Sequence, residues 1–299
     1  MEHYGNADLT IIDNGSSDGS WELLSTSYSS RATVLRMKSV TISTLRNRGA
    51  SLSAGENLSF IDADCLVARD YFDQAIQVLA ETQADAVGCR YSLPDCPQWV
   101  EETWEKSHAR GGDGAVNYLP SGNFIVSRKA FNAVGGFDEA LVTGEDTEIC
   151  QRLRMASFSI HSSLAIAAVH LGNPKTVMQF FRKQIWHGLG MFGTFRGSWL
   201  DKPVLMTFAH LLLTFLAVFN LLFAHSALVW RISFSLLLGI LAPTLTVAYR
   251  YVTVGHIYRP LGSLWLYYLY FTARIVALLR ILQRKAFWGT TGNLQFWIS

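Results

Sequence analysis

The sequence predicts an α/β protein with a mixed, mostly parallel sheet and helices on both faces, followed by C-terminal transmembrane helices. Apolar strand-like runs that end in turn residues alternate with helical patterns over residues 9–172, which is typical of such a sheet. Long apolar runs without an acidic residue fill the chain after Asp201. We therefore expect a folded domain at residues 1–173, an amphipathic interfacial segment at 174–202 and a membrane region at 203–299.

The predicted strands and helices follow one another in a regular order. A strand at residues 9–12 ends at Asp13 and precedes a helix at 21–27, and a strand at 58–61 ends at Asp62. The later elements are a helix in RDYFDQAIQVLAETQA, strands in DAVGCRYSL and GNFIVSRKAF, a helix in GEDTEICQRLRMA and a strand pair in SIHSSLAIAAVHLG. Ligands of such sheets bind beyond the carboxyl ends of the strands. The polar residues at these ends are therefore the candidate site residues.

Two carboxylates, Asp62 and Asp64, follow the strand at residues 58–61. In an extended segment, side chains two residues apart lie on the same side, so both carboxylates can face one point. Two such charges repel each other unless a proton or a cation lies between them, and oxygen ligands suit Mg or Mn. The alternative is that both residues only form a turn, in which aspartate is common.

Other polar residues stand at comparable positions. Asp13 ends the first strand, Glu145 and Asp146 begin a predicted helix, and His170 follows an apolar run. Each has a structural explanation, because acidic residues complement the dipole of a first helical turn and a histidine after a strand commonly forms a structural hydrogen bond. Their order along the chain is what favours a shared site.

The C-terminal part contains three apolar runs, at residues 203–223, 232–249 and 261–282. The first two carry no formal charge and are long enough to cross a hydrocarbon core of about 30 Å. Pro243 is expected to kink the second helix without breaking it. The third run contains Arg274 and Arg280, which predicts an interfacial helix or one packed against the others.

The charge is distributed unevenly along the chain. Residues 1–201 contain 17 basic and 23 acidic residues, a net charge of −6, and the remainder carries +8. Because the basic residues are spread among apolar runs, a nucleic-acid partner is not expected. The positive-inside rule predicts a multi-pass protein of the inner (cytoplasmic) membrane with its folded domain in the cytoplasm. The basic residues that flank the spans are Arg182, Lys183, Arg196, Lys202, Arg250 and Arg259.

Four cysteines, Cys65, Cys89, Cys96 and Cys150, lack the paired spacing of a metal site. In a reducing compartment they are expected to be free thiols.

Several stretches, taken in order, resemble glycosyltransferase family 2 with the GT-A fold. They are IIDNGSSDGS, RNRGASLSAG, FIDADC, LPSGNFIVSRKAFNAVGGFDE, GEDTEICQRLR and AAVHLG, and they cover about residues 9–172. Members of this family usually carry a strand and a helix before the first of these stretches. Because this sequence starts eight residues before Leu9, we expect that unit to be missing and one wall of the nucleobase pocket to be open. A misplaced start, a fragment and a degraded copy are all compatible with this.

The resemblance implies a nucleotide-sugar donor, and UDP-sugars are expected. By position, Asp13 would accept from the nucleobase and Arg46 would lie against the base or its ribose. Asp62 would contact the ribose or the water shell of the metal. Gly122 matches the loop that lets the backbone approach the sugar.

The resemblance also implies a divalent cation and a catalytic base. Asp64 would bind Mg or Mn, with Asp62 and His170 completing the metal site. Asp146, next to Glu145 in GED, matches the base. A departing diphosphate needs a cation to neutralise its charge, and one carboxylate suffices to take the proton of the acceptor hydroxyl.

The stretch FRKQIWHG, which contains Arg182 and Trp186, is similar to a basic-aromatic motif that borders the acceptor channel in membrane-linked members. The alternative is an amphipathic helix with Trp186 at the level of the lipid headgroups. Membrane lipids and a lipid-linked or glycan acceptor are the expected partners.

Three functions compete on this sequence. The first is a metal-dependent inverting glycosyltransferase acting on a lipid-linked or polysaccharide acceptor at the cytoplasmic membrane face. The second is a truncated, non-catalytic family member that acts as a membrane assembly partner. The third is a processive synthase that exports its polymer, for which two or three spans would need partners.

Overall fold

A computed structural model describes residues 7–108, 112–193 and 202–288. Within them the chain forms two compact units. The first takes the described residues up to Pro94 and from 112 to Gly172, and the second takes residues 95–108 and those from Asn173 onward. Arg196, which contributed to the predicted membrane orientation, and part of the predicted interfacial segment lie outside the described residues.

Helices and strands alternate through the first unit. In chain order they are β1 (Thr10–Asp13), α1 (Ser20–Ser27), β2 (Thr33–Arg36), α2 (Ile42–Leu52), β3 (Asn57–Ile61), β4 (Cys65–Val67), α3 (Tyr71–Thr82), β5 (Ala86–Gly88), then α4 (Trp99–His108) in the second unit, and β6 (Gly114–Ala115), β7 (Asn123–Ser127), α5 (Arg128–Ala133), α6 (Glu145–Met155), β8 (Ile160–Ser162) and β9 (Ala168–His170). Side-chain caps begin two helices: Thr41 accepts the Thr44 N–H at α2, and Ser127 accepts the Ala130 N–H at α5.

The main sheet has five strands in the order β3-β7-β5-β8-β6. Strands β3, β5 and β8 run in one direction, and β7 lies antiparallel between β3 and β5. Two short sheets accompany it, parallel β1–β2 and antiparallel β4–β9. The predicted mixed sheet is confirmed, with a larger antiparallel share than predicted. The insertion of β7 has a consequence for the site, because it brings the amino end of β7 beside the carboxyl end of β3.

The core explains why helices cover both faces of this sheet, as predicted. Alternate residues of β7 face opposite sides: Phe124 and Val126 belong to a buried cluster with α2, α5 and α6, whereas Ile125 packs with Tyr71 and Ala75 of α3. A strand buried on both faces carries no polar alternation. This accounts for the continuous apolar run Phe-Ile-Val in GNFIVS.

The second unit consists of α4 and four longer helices, α7 (Val177–Gly193), α8 (Lys202–Phe223), α9 (Leu228–Val254) and α10 (Pro260–Trp288). Three of them are long and apolar enough to cross a membrane: α8, α9 and residues Pro260–Gln283 of α10. The α9 helix continues through Pro243. Helix α4 is joined to this unit by apolar contacts of Val100 with Phe180 of α7 and Leu266 of α10.

Candidate active site

Asp13 at the end of β1 is buried and accepts several hydrogen bonds from its own loop. The Gly15 and Ser16 amides donate to its carboxylate at 3.0 and 3.1 Å, and Arg36 of the paired strand β2 lies 3.0 Å from Oδ2. Burial acts to raise the pKa of Asp13, but the hydrogen bonds and Arg36 outweigh it and lower the pKa. Asp13 is therefore a fixed anion, and its contact with a nucleobase stays a prediction.

Asp62 and Asp64 lie in a turn between β3 and β4. The Cys65 amide donates to the Asp62 carbonyl at 3.0 Å, and residues 63 and 64 are in turn conformation. The extended alternation expected for these residues is therefore absent, and each carboxylate has a different partner. Asp62 Oδ1 is 2.6 Å from Arg46, whereas Asp64 Oδ2 lies 3.4 Å from Nε2 of His170.

Arg46 of α2 connects two of the predicted site carboxylates. Its guanidinium donates to Asp62 Oδ1 at 2.6 Å and to Glu145 Oε1 at 2.7 Å, and it lies 5.6 Å from the centre of the Phe137 ring. Burial acts to lower the pKa of Arg46, but the two carboxylates raise it. Ser121 also donates to Glu145 Oε1 at 3.1 Å. The structure thus brings Arg46, Asp62 and Glu145 together, while contact of Arg46 with a base or ribose stays a prediction.

Gly122, which precedes β7, lies against the Asp62 carboxylate. A Cβ at this position would overlap the Asp62 side chain and lie 2.5 Å from the Tyr91 hydroxyl oxygen, which no real side chain tolerates. The Gly122 amide donates to that Tyr91 oxygen at 3.1 Å, and its carbonyl accepts from the Asp62 amide. With Asp62 and Tyr91 in these positions only glycine fits here, and the approach of this loop to a sugar stays a prediction.

A second group of possible ligands lies where β4 pairs with β9. Cys65 is the register partner of His170, and the side-chain donor atoms of Asp64, Cys65 and His170 all lie within 4.8 Å of one another. The Tyr91 ring stacks on His170 with centroids 4.5 Å apart, and a Cβ at Gly172 would overlap Asp64 Oδ2. Of the predicted metal ligands, the structure brings together Asp64 and His170, whereas Asp62 is held by Arg46.

The Cys65 thiol is a poor match for a hard cation. Burial, followed by the charges of Asp62 and Asp64, raises its pKa to about 12. A thiol rather than a thiolate is thus present at neutral pH, and soft sulfur ligands do not suit Mg or Mn.

Asp146 and Glu145 begin α6, and their environments differ. Asp146 accepts from the Tyr118 hydroxyl at 2.7 Å and from the Thr147 amide at 2.7 Å, with no cation in ion-pair contact among the described residues. Burial and then the neighbouring Glu145 raise the pKa of Asp146. Glu145 is paired with Arg46, which it shares with Asp62. Asp146 therefore keeps its proton to a higher pH than an ordinary aspartate does, and its role as the base stays a prediction.

Arg182 and Trp186, the predicted acceptor residues, lie on α7 in the second unit. Arg182 is exposed, and Trp186 is half-buried with its indole Nε1 lacking a hydrogen-bond partner among the residues described. Their role toward an acceptor stays a prediction.

Five residues of the site were not singled out from the sequence. Ser121 and Gly172 stand inside recognised stretches, LPSGN and AAVHLG, so their positions offered a signal. Cys65 follows the second aspartate directly. Tyr91 and Tyr118 have no local signal, because their contacts with Gly122, His170 and Asp146 form only across the fold.

Residues 2–135 match the family model of glycosyl transferase family 2. The match covers 134 of the 299 residues. Over 190 residues it is 23% identical to Glycosyltransferase AglE of Haloferax volcanii, covering 61% of this chain and 62% of AglE. It is also 26% identical to the succinoglycan biosynthesis protein ExoA of Rhizobium meliloti, covering 59% of this chain and 58% of ExoA. The chain thus matches less than two thirds of the length of these curated relatives.

A solved structure has the same fold as this chain. The mannosyltransferase PcManGT from Pyrobaculum calidifontis, in complex with GDP-Man and Mn2+, aligns with a TM-score of 0.56 and 17% identity. The alignment covers 93% of this chain and 78% of the other. The predicted GT-A fold is confirmed.

Proposed function

We propose that this chain is a metal-dependent inverting glycosyltransferase that moves a sugar from a nucleotide-sugar to an acceptor hydroxyl. The observation that carries the proposal is the joining of Asp62 and Glu145 by Arg46, next to a glycine loop and beside the Asp64–His170 pair. The match of residues 2–135 to the model of glycosyl transferase family 2 supports the reaction class. The predicted donors are UDP-sugars. Because the structure of PcManGT contains GDP-Man, GDP-sugars are the second class of donor to test.

Asp64 and His170 would hold the divalent cation. Their carboxylate and imidazole donors face each other, and Gly172 leaves room for the carboxylate, so the residues fit a cation that accepts oxygen and nitrogen ligands. The Mn2+ of PcManGT is in line with this choice. When bound, such a cation neutralises the negative charge that develops on the leaving diphosphate.

Asp146 is the proposed base. As the acceptor oxygen forms its bond to the anomeric carbon and the bond to the diphosphate breaks, the hydroxyl proton passes to the Asp146 carboxylate. Tyr118 donates to Oδ2 and orients this carboxylate, while Arg46 compensates the charge of the adjacent Glu145. A single displacement of this kind inverts the anomeric centre.

The acceptor is proposed to be a lipid-linked sugar or a growing polysaccharide at the cytoplasmic face of the membrane. Three candidate membrane spans and the basic residues that flank them support a membrane-anchored enzyme with this orientation. The name of ExoA refers to succinoglycan biosynthesis, which favours an acceptor of the glycan class. Arg182 and Trp186 are proposed to contact it.

Calorimetric titration of the detergent-solubilised protein with UDP and with GDP, in Mn and then in EDTA, tests the donor site. We expect binding of one nucleotide that depends on Mn and is lost in Asp64→Asn but kept in Asp73→Asn, an exposed aspartate of α3. We expect Asp146→Asn to bind nucleotide nearly as the parent does and to lose sugar transfer. Folded protein that binds neither nucleotide would contradict the proposal, and the non-catalytic assembly partner would become the leading hypothesis.

A further inference from the structure

Arg274, near the middle of α10, is a buried cation with few partners. The residue is only 8% exposed. Its guanidinium lies 4.8 Å from the centre of the Tyr270 ring and donates to Oε1 of Gln184 on α7 at 3.3 Å. Its Nε is buried without a hydrogen-bond partner among the residues described. Among the described residues, one neutral amide oxygen and the Tyr270 side chain are therefore the contacts of a group that offers five N–H donors.

No carboxylate of the described residues is in ion-pair contact with Arg274. On the adjacent helix α4, Glu101 is paired with Lys175 and Glu102 with Lys106. Helices α7, α8, α9 and α10 contain neither aspartate nor glutamate. Helices α7 and α10 also pack closely, since a Cβ at Gly188 would lie 2.6 Å from the Ala277 Cβ and 3.2 Å from the Arg274 Cδ. A charge held in such surroundings is costly unless an anion accompanies it. The anion must come from outside these four helices.

The neighbouring residues of α7 add further donors and positive charge. Burial, together with the charges of Arg274 and Lys183, lowers the pKa of His187 to about 3. His187 is therefore neutral and lies within the electrostatic field of both cations. The Trp186 indole Nε1 on the same helix is another buried donor without a described partner. Two buried donors of this helix pair, Arg274 Nε and Trp186 Nε1, thus lack a hydrogen-bond partner in the described part of the chain.

We propose that the α7–α10 helix pair binds a phosphate group through Arg274, with Lys183 contributing positive charge. The planar guanidinium matches phosphate oxygens in two-point contact, and phosphate is the anion that a membrane offers at its surface. The source is either a phospholipid headgroup or free phosphate. This site is separate from the proposed transfer reaction and does not depend on it.

Thermal unfolding of the full chain, delipidated in neutral detergent, tests the site without any assay of sugar transfer. The probes are phosphatidylglycerol, inorganic phosphate and diacylglycerol, which has the acyl chains but no phosphate. We expect a phosphate-bearing probe to raise the unfolding temperature of the parent protein and diacylglycerol not to do so. A response to phosphatidylglycerol alone identifies a lipid headgroup, and a response to inorganic phosphate as well identifies the free anion as sufficient.

Arg274→Gln is the test variant and Arg280→Gln, which removes an exposed cation from the same helix, is its matched control. We expect Arg274→Gln to raise the half-saturating concentration of the phosphate-bearing probe about tenfold, as for the loss of a charge-assisted hydrogen bond. Arg280→Gln should leave this concentration unchanged. Arg274→Lys keeps the positive charge but lacks the planar guanidinium, so its half-saturating concentration should be intermediate. This variant preserves the test if Arg274→Gln does not fold. Equal responses of the parent and both Arg274 variants, or no response to either phosphate-bearing probe, would overturn the proposal.

Discussion

Arg46 is a buried cation that contacts two carboxylates, the buried Glu145 and the partly exposed Asp62. Asp62 follows a strand and Glu145 begins a helix, yet both accept from the same guanidinium at 2.6 and 2.7 Å. Removing one partner of a buried ion pair leaves an uncompensated charge, which costs far more than the pair contributes. The residue therefore influences stability and site geometry together.

Arg46→Met is expected to lower the free energy of unfolding of the first unit by about 3 kcal/mol, because two carboxylates lose their counter-ion. The double variant Arg46→Met with Glu145→Met removes a charge of each sign and should lose clearly less than the sum of the single variants. Denaturant unfolding of the purified protein measures these energies. Arg48→Met, an exposed position on α2, is the control and should change stability by less than about 0.5 kcal/mol. Additive losses in the double variant would contradict the coupling.

Tyr118 is expected to set the pH range in which Asp146 acts. Its hydroxyl donates to the Asp146 carboxylate, which favours the charged form, so Tyr118→Phe should raise the pKa of Asp146 further. The base must be deprotonated to act, and the acidic limb of the kcat–pH profile should therefore move to higher pH. The donor KM should change little. An unchanged acidic limb would show that Asp146 is not the titrating base or that Tyr118 does not contact it during turnover.

At the scale of elements, the turn between β3 and β4 decides which residues share a partner. This turn separates the Asp62 and Asp64 carboxylates, and the β4–β9 pairing places His170 beside Asp64. The final strand pair predicted from SIHSSLAIAAVHLG exists, but β8 joins the five-stranded sheet and β9 joins β4. The same short segment thus connects the core to the candidate metal site.

Gly172→Ala tests this arrangement through one methyl group. The added Cβ would overlap Asp64 Oδ2 and push the carboxylate away from its present position near His170. We expect Mn affinity to fall by about 10- to 100-fold, the range found when the surroundings of metal ligands are disturbed. Gly112→Ala, where a Cβ meets nothing within 4 Å, is the matched control. Titration with Mn followed by electron paramagnetic resonance measures both variants, and equal affinities would contradict the proposed ligand role of Asp64.

Local pattern was sufficient for some elements and insufficient for others. Residues 58–61 and the helix in RDYFDQAIQVLAETQA were predictable because their apolar residues follow a clear period and end in turn residues. Strand direction was not, because side-chain alternation is the same for parallel and antiparallel strands, and so the antiparallel insertion of β7 was missed. The links from Arg46 to Glu145 and from Tyr91 to His170 depend on tertiary contacts, which no local period encodes.

For the molecule as a whole, the segregation of charge predicts an orientation. All acidic residues precede Lys202, and the hairpin between α8 and α9 carries only Arg231 close to it. We therefore expect that hairpin on the side of the membrane opposite the first unit. In a cysteine-free background, a membrane-impermeant maleimide should label Ser226→Cys in intact cells. Restored Cys96, which is exposed, should react only after permeabilisation. Labelling of both in intact cells, or of neither, would contradict this topology.

The ion pair of Arg46 and Glu145 joins residues 99 positions apart, whereas Asp62 lies only 16 positions from Arg46. At synthesis rates of about 5–20 residues per second, the ribosome needs between about 5 and 20 s to pass from one end of the longer link to the other. During translation Arg46 can pair with Asp62 early, but it must wait that long for its second carboxylate. Until synthesis has passed Glu145, Arg46 of the nascent α2 helix consequently has only one of its two carboxylate partners, and the candidate site cannot be complete before then.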